Sequence, residues 1–214
     1  MNILIFAKGN YACNQLIQLA LSRGHYVTWY AASQKNKGNL SHENLLIIHA
    51  DTLNYSTVEE AMQGQEVVID AMHLELKDKD DFYITSAANI LKAMKANQVT
   101  RFILLSRHGV NSNVKKAPLR YQLWFRFINW FKMAQLSKLM MLENFVRDSG
   151  LQWTIIRPVI IIKSTKAIEE PCSNYKPGNP INRSLVPANA LAEFLLTVAA
   201  KDSFIQEIVT ISSK

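Results

Sequence analysis

The sequence predicts an α/β fold built on a doubly wound parallel sheet. Short apolar runs that are typical of buried strands alternate with stretches of helical periodicity through most of the 214 residues. The first run, residues 2–6, is rich in Ile and Leu and lacks polar alternation, which favours a strand covered on both faces. A turn, a helical stretch and a strand over residues 25–31 complete a βαβ unit. Because such units wind right-handed, helices are expected on both faces of one sheet.

The first helix is predicted by its apolar stripe and its stop signal. Leu16, Ile17 and Ala20 recur at helical spacing. The pair Arg23-Gly24 then supplies a cation in the last turn and a residue suited to a left-handed conformation. The helix is therefore expected to end there.

The later elements repeat the alternation. Residues 45–49 are predicted to form the third strand, and the next helix is expected to be capped near Asn54 to Ser56, with Glu59 completing a capping box on Ser56. The remaining predicted elements are a strand over 66–71, a helix over 80–95, a strand over 101–105, a sixth strand within 149–158, a helix over 191–199 and a final strand over 207–211.

Composition and charge narrow the class of protein. Hydrophobic residues make up 49% and charged residues 19%, as in ordinary folded domains. No apolar run reaches the length of a membrane span, and Cys13 and Cys172 form no disulfide framework, so we expect a cytoplasmic protein. The net charge of +7 suits an anionic ligand. No nucleic-acid-binding motif accompanies the charge, and no nucleic acid partner is expected.

The turn after the first strand occupies the place where a dinucleotide-binding unit carries its glycines. Glycines there allow a tight bend and a close approach to the pyrophosphate. Ala7, Asn10 and Cys13 stand at the three expected positions, with Gly9 between them. Because Asn tolerates a left-handed conformation and Ala and Cys are small, the turn is still expected to form. Cys13 is interpreted either as a small packing residue or as a thiolate activated by the helix N-terminus.

The loop after the second strand bears on the choice of cofactor. An acidic residue at this place favours NAD, whereas cations favour the 2′-phosphate of NADP. The loop carries Lys35 and Lys37 and has no acidic residue before Glu43. This pattern leans toward NADP, although a lysine-rich loop can also be merely solvated.

Several phrases of the sequence resemble the atypical short-chain dehydrogenase/reductase group. They include NILIFA, HADTLNYSTVEEAMQGQEVVIDA, ILKAMKANQVTRFILLS and SGLQWTIIRP, and the similarity runs through nearly the whole chain. The group includes the NmrA-like NAD(P)-binding proteins and the flavin reductases of the biliverdin reductase B type. The resemblance implies one Rossmann-like domain over residues 1–214 that binds NADP or NAD. It also implies small lid or substrate segments at about 111–137 and 160–184.

The resemblance also implies which residues hold the cofactor. Asp51 matches the aspartate that contacts the adenine, Ala32 falls where many NADP-using relatives have Arg, and His73 falls where a Gly normally passes beneath the nicotinamide ribose. The full set of candidate cofactor-binding residues is Ala7, Gly9, Asn10, Tyr11, Ala12, Cys13, Ala32, Lys35, Asp51, Ala71, His73 and Pro158.

The catalytic landmarks of the group are largely replaced. Ser106-Arg107 stands in place of a Ser-Ser pair, and Lys138 matches the Lys of a YxxxK dyad whose Tyr is replaced by Ala134. The candidate catalytic residues are Ser106, Arg107, His108 and Lys138. Arg107 is interpreted either as a ligand for an acidic substrate or cofactor phosphate, or as a side chain that blocks the old active site. His108 is a proton donor or an ordinary loop histidine.

The segment 117–136 is a basic, aromatic and amphipathic stretch. Three interpretations stay open: a lid packed on the core or on a second copy in a homodimer, an aromatic wall for a planar acceptor, and a membrane contact between Arg120 and Lys132. No metal site is expected.

Two functions follow from these observations. The first is an NAD(P)H-dependent oxidoreductase that acts on a flavin, a quinone or another planar small molecule. The second is a non-catalytic NmrA-like nucleotide sensor or interaction protein, which the replacements at the catalytic landmarks favour.

Overall fold

The computed structural model describes residues 1–31, 40–72, 82–107, 133–163, 185–201 and 203–211. The strands, in chain order, are β1 (Asn2–Ala7), β2 (Tyr26–Ala31), β3 (Leu45–Ile48), β4 (Val67–Asp70), β5 (Arg101–Leu105), β6 (Gln152–Pro158), β7 (Ile160–Ile162), β8 (Leu185–Pro187) and β9 (Glu207–Ile211). The described helices are α1 (Tyr11–Ser22), α2 (Tyr55–Met62), α3 (Phe82–Ala96), α4 (Met133–Arg147) and α5 (Ala188–Ala200).

Seven strands form one parallel sheet in the order β3-β2-β1-β4-β5-β6-β9. The order reverses between β1 and β4, and Ile3 on β1 lies opposite Val27 on one side and Val67 on the other. In open parallel sheets, ligands bind beyond the carboxyl ends of the strands at such a switch point. The predicted doubly wound, Rossmann-like fold is confirmed, and it directs attention to that edge.

Helices cover both faces of the sheet. Ile3 and Ile5 of β1 contribute to an apolar cluster with α1 and α5, while Leu4 and Phe6 contribute to a second cluster with α2, α3 and α4. This alternation follows from the two-residue period of a strand. It explains why β1 is apolar from Ile3 to Ala7.

The smaller sheet pairs β7 with β8 in parallel, with Ile160 opposite Leu185 and Ile162 opposite Pro187. Strand β7 starts two residues beyond the end of β6, and β8 leads directly into α5. The small sheet therefore begins at the carboxyl edge of the large one.

The element boundaries differ from the predictions in a few places. The predicted capping box is wrong, because Asn54 is the N-cap of α2 and accepts a hydrogen bond from the Ser56 N–H (3.2 Å). Glu59 instead accepts a hydrogen bond from the Tyr55 hydroxyl (2.8 Å). Helix α5 begins at Ala188, three residues before the predicted start. The strand over 207–211, the strand over 101–105 and the positive φ of Gly24 (74°) are confirmed.

Among the described helices, none has the combination of length and apolar character needed to cross a membrane. The predicted lid residues 111–132 and 164–184 lie outside the described residues, as do Ala32, Lys35, Lys37, His73 and His108.

Candidate nucleotide-binding groove

The turn from β1 to α1 forms without its expected glycines. Gly9 has a φ of 74°, and Asn10 is extended with a φ of −81° and a ψ of 170°. The left-handed conformation in this turn is thus taken by Gly9 and not by Asn10. Asn10 serves as the N-cap of α1, and its side-chain oxygen accepts a hydrogen bond from the Cys13 N–H (3.0 Å).

The flanking small residues lie inside the core. Ala7 is buried, and its carbonyl oxygen accepts a hydrogen bond from Trp29 Nε1 (3.2 Å). Cys13 is 1% exposed and belongs to the apolar cluster beneath α1. Its burial supports the interpretation as a packing residue, because reactive thiolates are typically accessible.

A groove of about 390 Å³ opens at the N-terminus of α1. Asn10, Tyr11 and Ala12 form one wall, Arg107 lies beyond the end of β5, and the chain from Pro158 to Lys163 forms the other wall. The ammonium of Lys163 lies 5.5 Å from the centroid of the Tyr11 ring. The groove thus combines the positive end of a helix dipole with two cationic side chains.

The apolar part of this second wall comes from Pro158, Val159 and the three Ile residues of β7. A groove with cations at one wall and an aliphatic surface beside them can accept an anionic group and a flat apolar group together. A dinucleotide has both features.

Asp51 lies after β3, at the same edge of the sheet. Its side chain is exposed and accepts a hydrogen bond from the Leu53 N–H (2.9 Å). Asn89 of α3 donates to the carbonyl oxygens of Thr52 and Leu53 (2.9 and 3.0 Å). The Asp51 loop is therefore hydrogen bonded to α3, the helix that follows β4 in the chain.

Two residues border the switch point. Ala71 is buried just beyond β4, and its N–H donates to the carbonyl oxygen of Phe6 (2.9 Å). The ammonium of Lys8 lies 5.6 Å and 5.5 Å from the ring centroids of Phe82 and Tyr83 at the start of α3. A cation from the β1 turn therefore reaches the helix that follows β4.

The candidate Ser106 lies beside a buried ion pair that sequence reasoning missed. Its hydroxyl donates to Glu143 Oε1 (2.5 Å), and Arg157 binds the same carboxylate through Nε and Nη2. Ser106 and Glu143 are almost completely buried. One signal was present in the sequence, since Glu143 interrupts the apolar stripe of Leu139, Leu142 and Val146.

Lys138 lies on α4 and is half-buried. It is one turn and a half before Glu143, and it does not line the groove. Of the three catalytic candidates among the described residues, Arg107 is the one that lines the groove, while Ser106 is fully buried. In the described ranges, no group of His, Cys, Asp and Glu has the arrangement of a metal site.

The sequence profile of the NAD(P)H-binding family matches residues 7–202. The chain belongs to this family. The matched range contains the β1 turn, Asp51 and both walls of the groove. The expected NAD(P)H-binding domain is thereby confirmed.

Solved structures share the fold of this NAD(P)H-binding chain. A Rossmann-fold NAD(P)-binding family protein from Shigella flexneri is 22% identical, with a TM-score of 0.71 and coverage of 99% of this chain and 93% of that chain. A short-chain dehydrogenase/reductase from Veillonella parvula in complex with NADP is 18% identical, with a TM-score of 0.77 and coverage of 99% and 94%.

A third structure, ChuY from Escherichia coli O157:H7, described as an anaerobillin reductase, is 15% identical, with a TM-score of 0.75 and coverage of 100% and 97%. At these identities the likeness concerns the fold. A comparison with curated protein sequences finds no significant match.

The groove of this family member fits the phosphates of a dinucleotide. The helix N-terminus, Arg107 and Lys163 provide positive charge, and the N-cap bond of Asn10 uses the N–H of Cys13 while Tyr11 and Ala12 line the groove. The Asn10 side chain occupies space that a glycine would leave open. These groups therefore suit an anion. The space for it is narrower than a glycine-rich turn would leave.

Proposed function

We propose that the protein is an NAD(P)H-dependent oxidoreductase that reduces a planar acceptor such as a flavin or a quinone. The observation that carries the proposal is the groove in which the N-terminus of α1, Arg107 and the aliphatic chain 158–162 face one space. It joins a site for phosphates to a surface for a flat ring within a chain of the NAD(P)H-binding family.

The cofactor residues divide into two groups in this proposal. Asp51 binds the adenosine half, with Lys35 and Lys37 near the 2′-phosphate of NADP. Tyr11, Ala12, Arg107 and Lys163 bind the pyrophosphate and the nicotinamide half. The charge of +7 on the whole chain further favours an anionic ligand.

The proposed class of acceptor follows from the replacement of the proton-donating Tyr by Ala134. A bound nicotinamide would supply the hydride, and the protein has to align it with the acceptor and exclude water. Ala134 stands where the group has its proton-donating Tyr, so an acceptor that takes its proton from solvent suits this site better than a simple ketone. We propose that the segments at about 111–137 and 160–184 cover the acceptor.

A second candidate function is a nucleotide sensor without catalysis. The observation that favours it is the burial of Ser106. Its hydroxyl donates a hydrogen bond to Glu143 and is therefore not directed at a substrate. In this case the groove binds the nucleotide, and a partner protein recognises the nucleotide-bound form through the segments at about 111–137 and 160–184.

Calorimetric titration with NADPH, NADP⁺, NADH and NAD⁺ tests nucleotide binding. We expect micromolar binding with a preference for the phosphorylated pair. Absence of binding to all four nucleotides would overturn both candidate functions.

Turnover then separates the two functions. Oxidation of NADPH is followed at its absorbance band with FMN, riboflavin and menadione as acceptors. The reductase proposal expects turnover with at least one planar acceptor and a loss of it in Arg107→Met, with Arg23→Met on the distant α1–α5 surface as the matched control. Tight binding without turnover across a broad acceptor panel would favour the sensor.

A further inference from the structure

Glu143 places a carboxylate at the centre of an otherwise apolar helix face. It lies on α4 between Leu139 and Val146, and its side chain is 3% exposed. The carboxylate accepts from Ser106 Oγ (2.5 Å) and Arg157 Nε (3.0 Å) through Oε1, and from Arg157 Nη2 through Oε2. The two nitrogens of the guanidinium thus make the bidentate geometry that fixes orientation as well as distance.

Stability alone is a poor explanation for this arrangement. Removing a carboxylate and a guanidinium from water carries a large desolvation penalty, and a well-packed apolar replacement is often as stable. An ion pair, unlike apolar side chains, fixes the relative orientation of the elements that it joins. The relevant question is therefore which elements Glu143 holds in place.

Glu143 joins the carboxyl ends of β5 and β6. Ser106 is the residue before Arg107, and Arg157 is the residue before Pro158. Both of these following residues line the groove. The two strand ends are also joined by the main chain, since the Ser106 N–H donates to the carbonyl oxygen of Ile156 (2.8 Å).

We propose that Glu143 is a positioning residue that sets the wall of the groove on which the nicotinamide half of the dinucleotide lies. It acts through Ser106 on the direction of Arg107, and through Arg157 on the start of the chain that runs from Pro158 to Lys163. The adenosine half, near Asp51 and the β1 turn, is independent of this carboxylate. The inference rests on the proposed function for the identity of the ligand, while the geometric claim concerns the protein alone.

Hydrogen exchange of the nucleotide-free protein tests the geometric claim. Glu143→Gln keeps the shape of the side chain and removes its charge. We expect exchange about tenfold faster at residues 106–107 and 159–162, with no change at residues 10–13 of the opposite wall. Glu193→Gln is the matched control, since it removes the carboxylate of the exposed Arg23–Glu193 pair. Equal acceleration in all regions, or none in any, overturns the proposal.

A second variant keeps the test informative if Glu143→Gln does not fold. Ser106→Ala removes the hydrogen bond from Ser106 to Glu143 and leaves the ion pair of Glu143 with Arg157 intact. It should accelerate exchange at residues 106–107 more than at residues 159–162. An equal effect on both segments, or no effect on either, would overturn the claim that Glu143 acts on residues 106–107 through Ser106 and on residues 159–162 through Arg157.

Binding of two ligands tests the functional part. We expect Glu143→Gln to weaken NADPH binding about tenfold and to change the affinity for adenosine 2′,5′-bisphosphate, which lacks both the pyrophosphate linkage and the nicotinamide half, less than twofold. Equal losses for both ligands would mean a structural role only and would overturn the proposal. If the wild-type protein binds neither ligand, the proposed function fails, and the exchange experiment still decides whether Glu143 sets the wall.

Discussion

The phenolic hydroxyl of Tyr30, at the end of β2, donates a hydrogen bond to the main-chain carbonyl oxygen of Asp51 (3.0 Å). The same hydroxyl is hydrogen bonded to Thr57 Oγ1 (2.8 Å), and the Tyr30 ring is buried against Phe6. Burial raises the pKa of Tyr30, so the phenol stays protonated and keeps its donor. Tyr30 therefore anchors the loop that carries the candidate adenine ligand.

Tyr30→Phe removes this anchor without opening a large cavity. We expect a loss of about 1 kcal/mol in the free energy of unfolding, because the Asp51 carbonyl and the Thr57 hydroxyl lose a partner. We also expect weaker binding of the adenosine half. Urea denaturation and titration with 2′-phosphorylated ADP-ribose measure the two effects, and unchanged values in both would contradict the assignment.

Asn10 links the stability of α1 to the width of the groove. Asn10→Ala removes the cap on the Cys13 N–H and should cost about 1 kcal/mol, whereas Asn10→Gly should cost only a few tenths. Since glycine also clears the side chain from the groove, Asn10→Gly should bind NADPH more tightly than the wild type. Denaturation and calorimetry on both variants check this, and weaker binding by Asn10→Gly would show that the amide itself contacts the ligand.

Lys163 tests whether side-chain charge replaces the missing glycines. Lys163→Met keeps the aliphatic stem beside Tyr11 and removes the ammonium. We expect roughly two- to fivefold weaker NADPH binding and a smaller dependence of affinity on salt. Lys92→Met is the control, because its ammonium also lies over a ring, that of Tyr55 at 4.1 Å, but outside the groove lining. The same loss in both variants would rule out a specific role for Lys163.

Arg101 joins elements at the opposite edge of the sheet. Its guanidinium donates to Thr154 Oγ1 (2.9 Å) and to the carbonyl oxygens of Gln152, Val198 and Ser203 (2.8, 2.9 and 3.2 Å). Arg101→Met leaves these acceptors without their donor, so we expect a loss of about 3 kcal/mol in the free energy of unfolding. Nucleotide affinity of the folded variant should not change. A selective loss of binding would mean that the two edges are coupled.

His25 gives the stability a defined pH dependence. Burial, then the N-terminal ammonium and Arg23, lower the pKa of His25 below its ordinary 6.5. The unfolded chain thus binds a proton more readily than the folded one, and the free energy of unfolding should fall as the pH drops from 6.5 through the folded pKa. His25→Gln should flatten this part of the curve in denaturation experiments at several pH values. An unchanged slope would assign the acid sensitivity to other groups.

The fold could be predicted because its signals are local and repeated. Each buried strand is a short apolar run, and each described helix carries an apolar stripe, so patterning alone indicates the parallel sheet. The N-cap of α2 was harder to predict because Asn54 and Ser56 are both good caps, and Glu59, which a capping box on Ser56 would use, is instead hydrogen bonded to Tyr55 within the same helix.

The site was only partly predictable, since its decisive contacts join residues that are distant in sequence. The positions of Gly9, Asn10 and Arg107 follow from the end of a strand or the start of a helix. Glu143 interrupts an apolar stripe, which indicates a buried carboxylate, but its contact with Ser106 spans 37 residues, and the local sequence does not identify that partner. Lys163 reaches Tyr11 because β7 turns back toward α1, which no periodicity in the sequence reveals.

The pairing of β7 with β8 has a consequence for how the protein can change. In the chain, residues 164–184 connect β7 to β8, two strands held side by side by their own hydrogen bonds. An insertion or replacement between these points leaves the groove wall, which includes β7, and helix α5 after β8 in their places. The small sheet therefore fixes both ends of this connection, and the sequence between them can change while the groove stays the same.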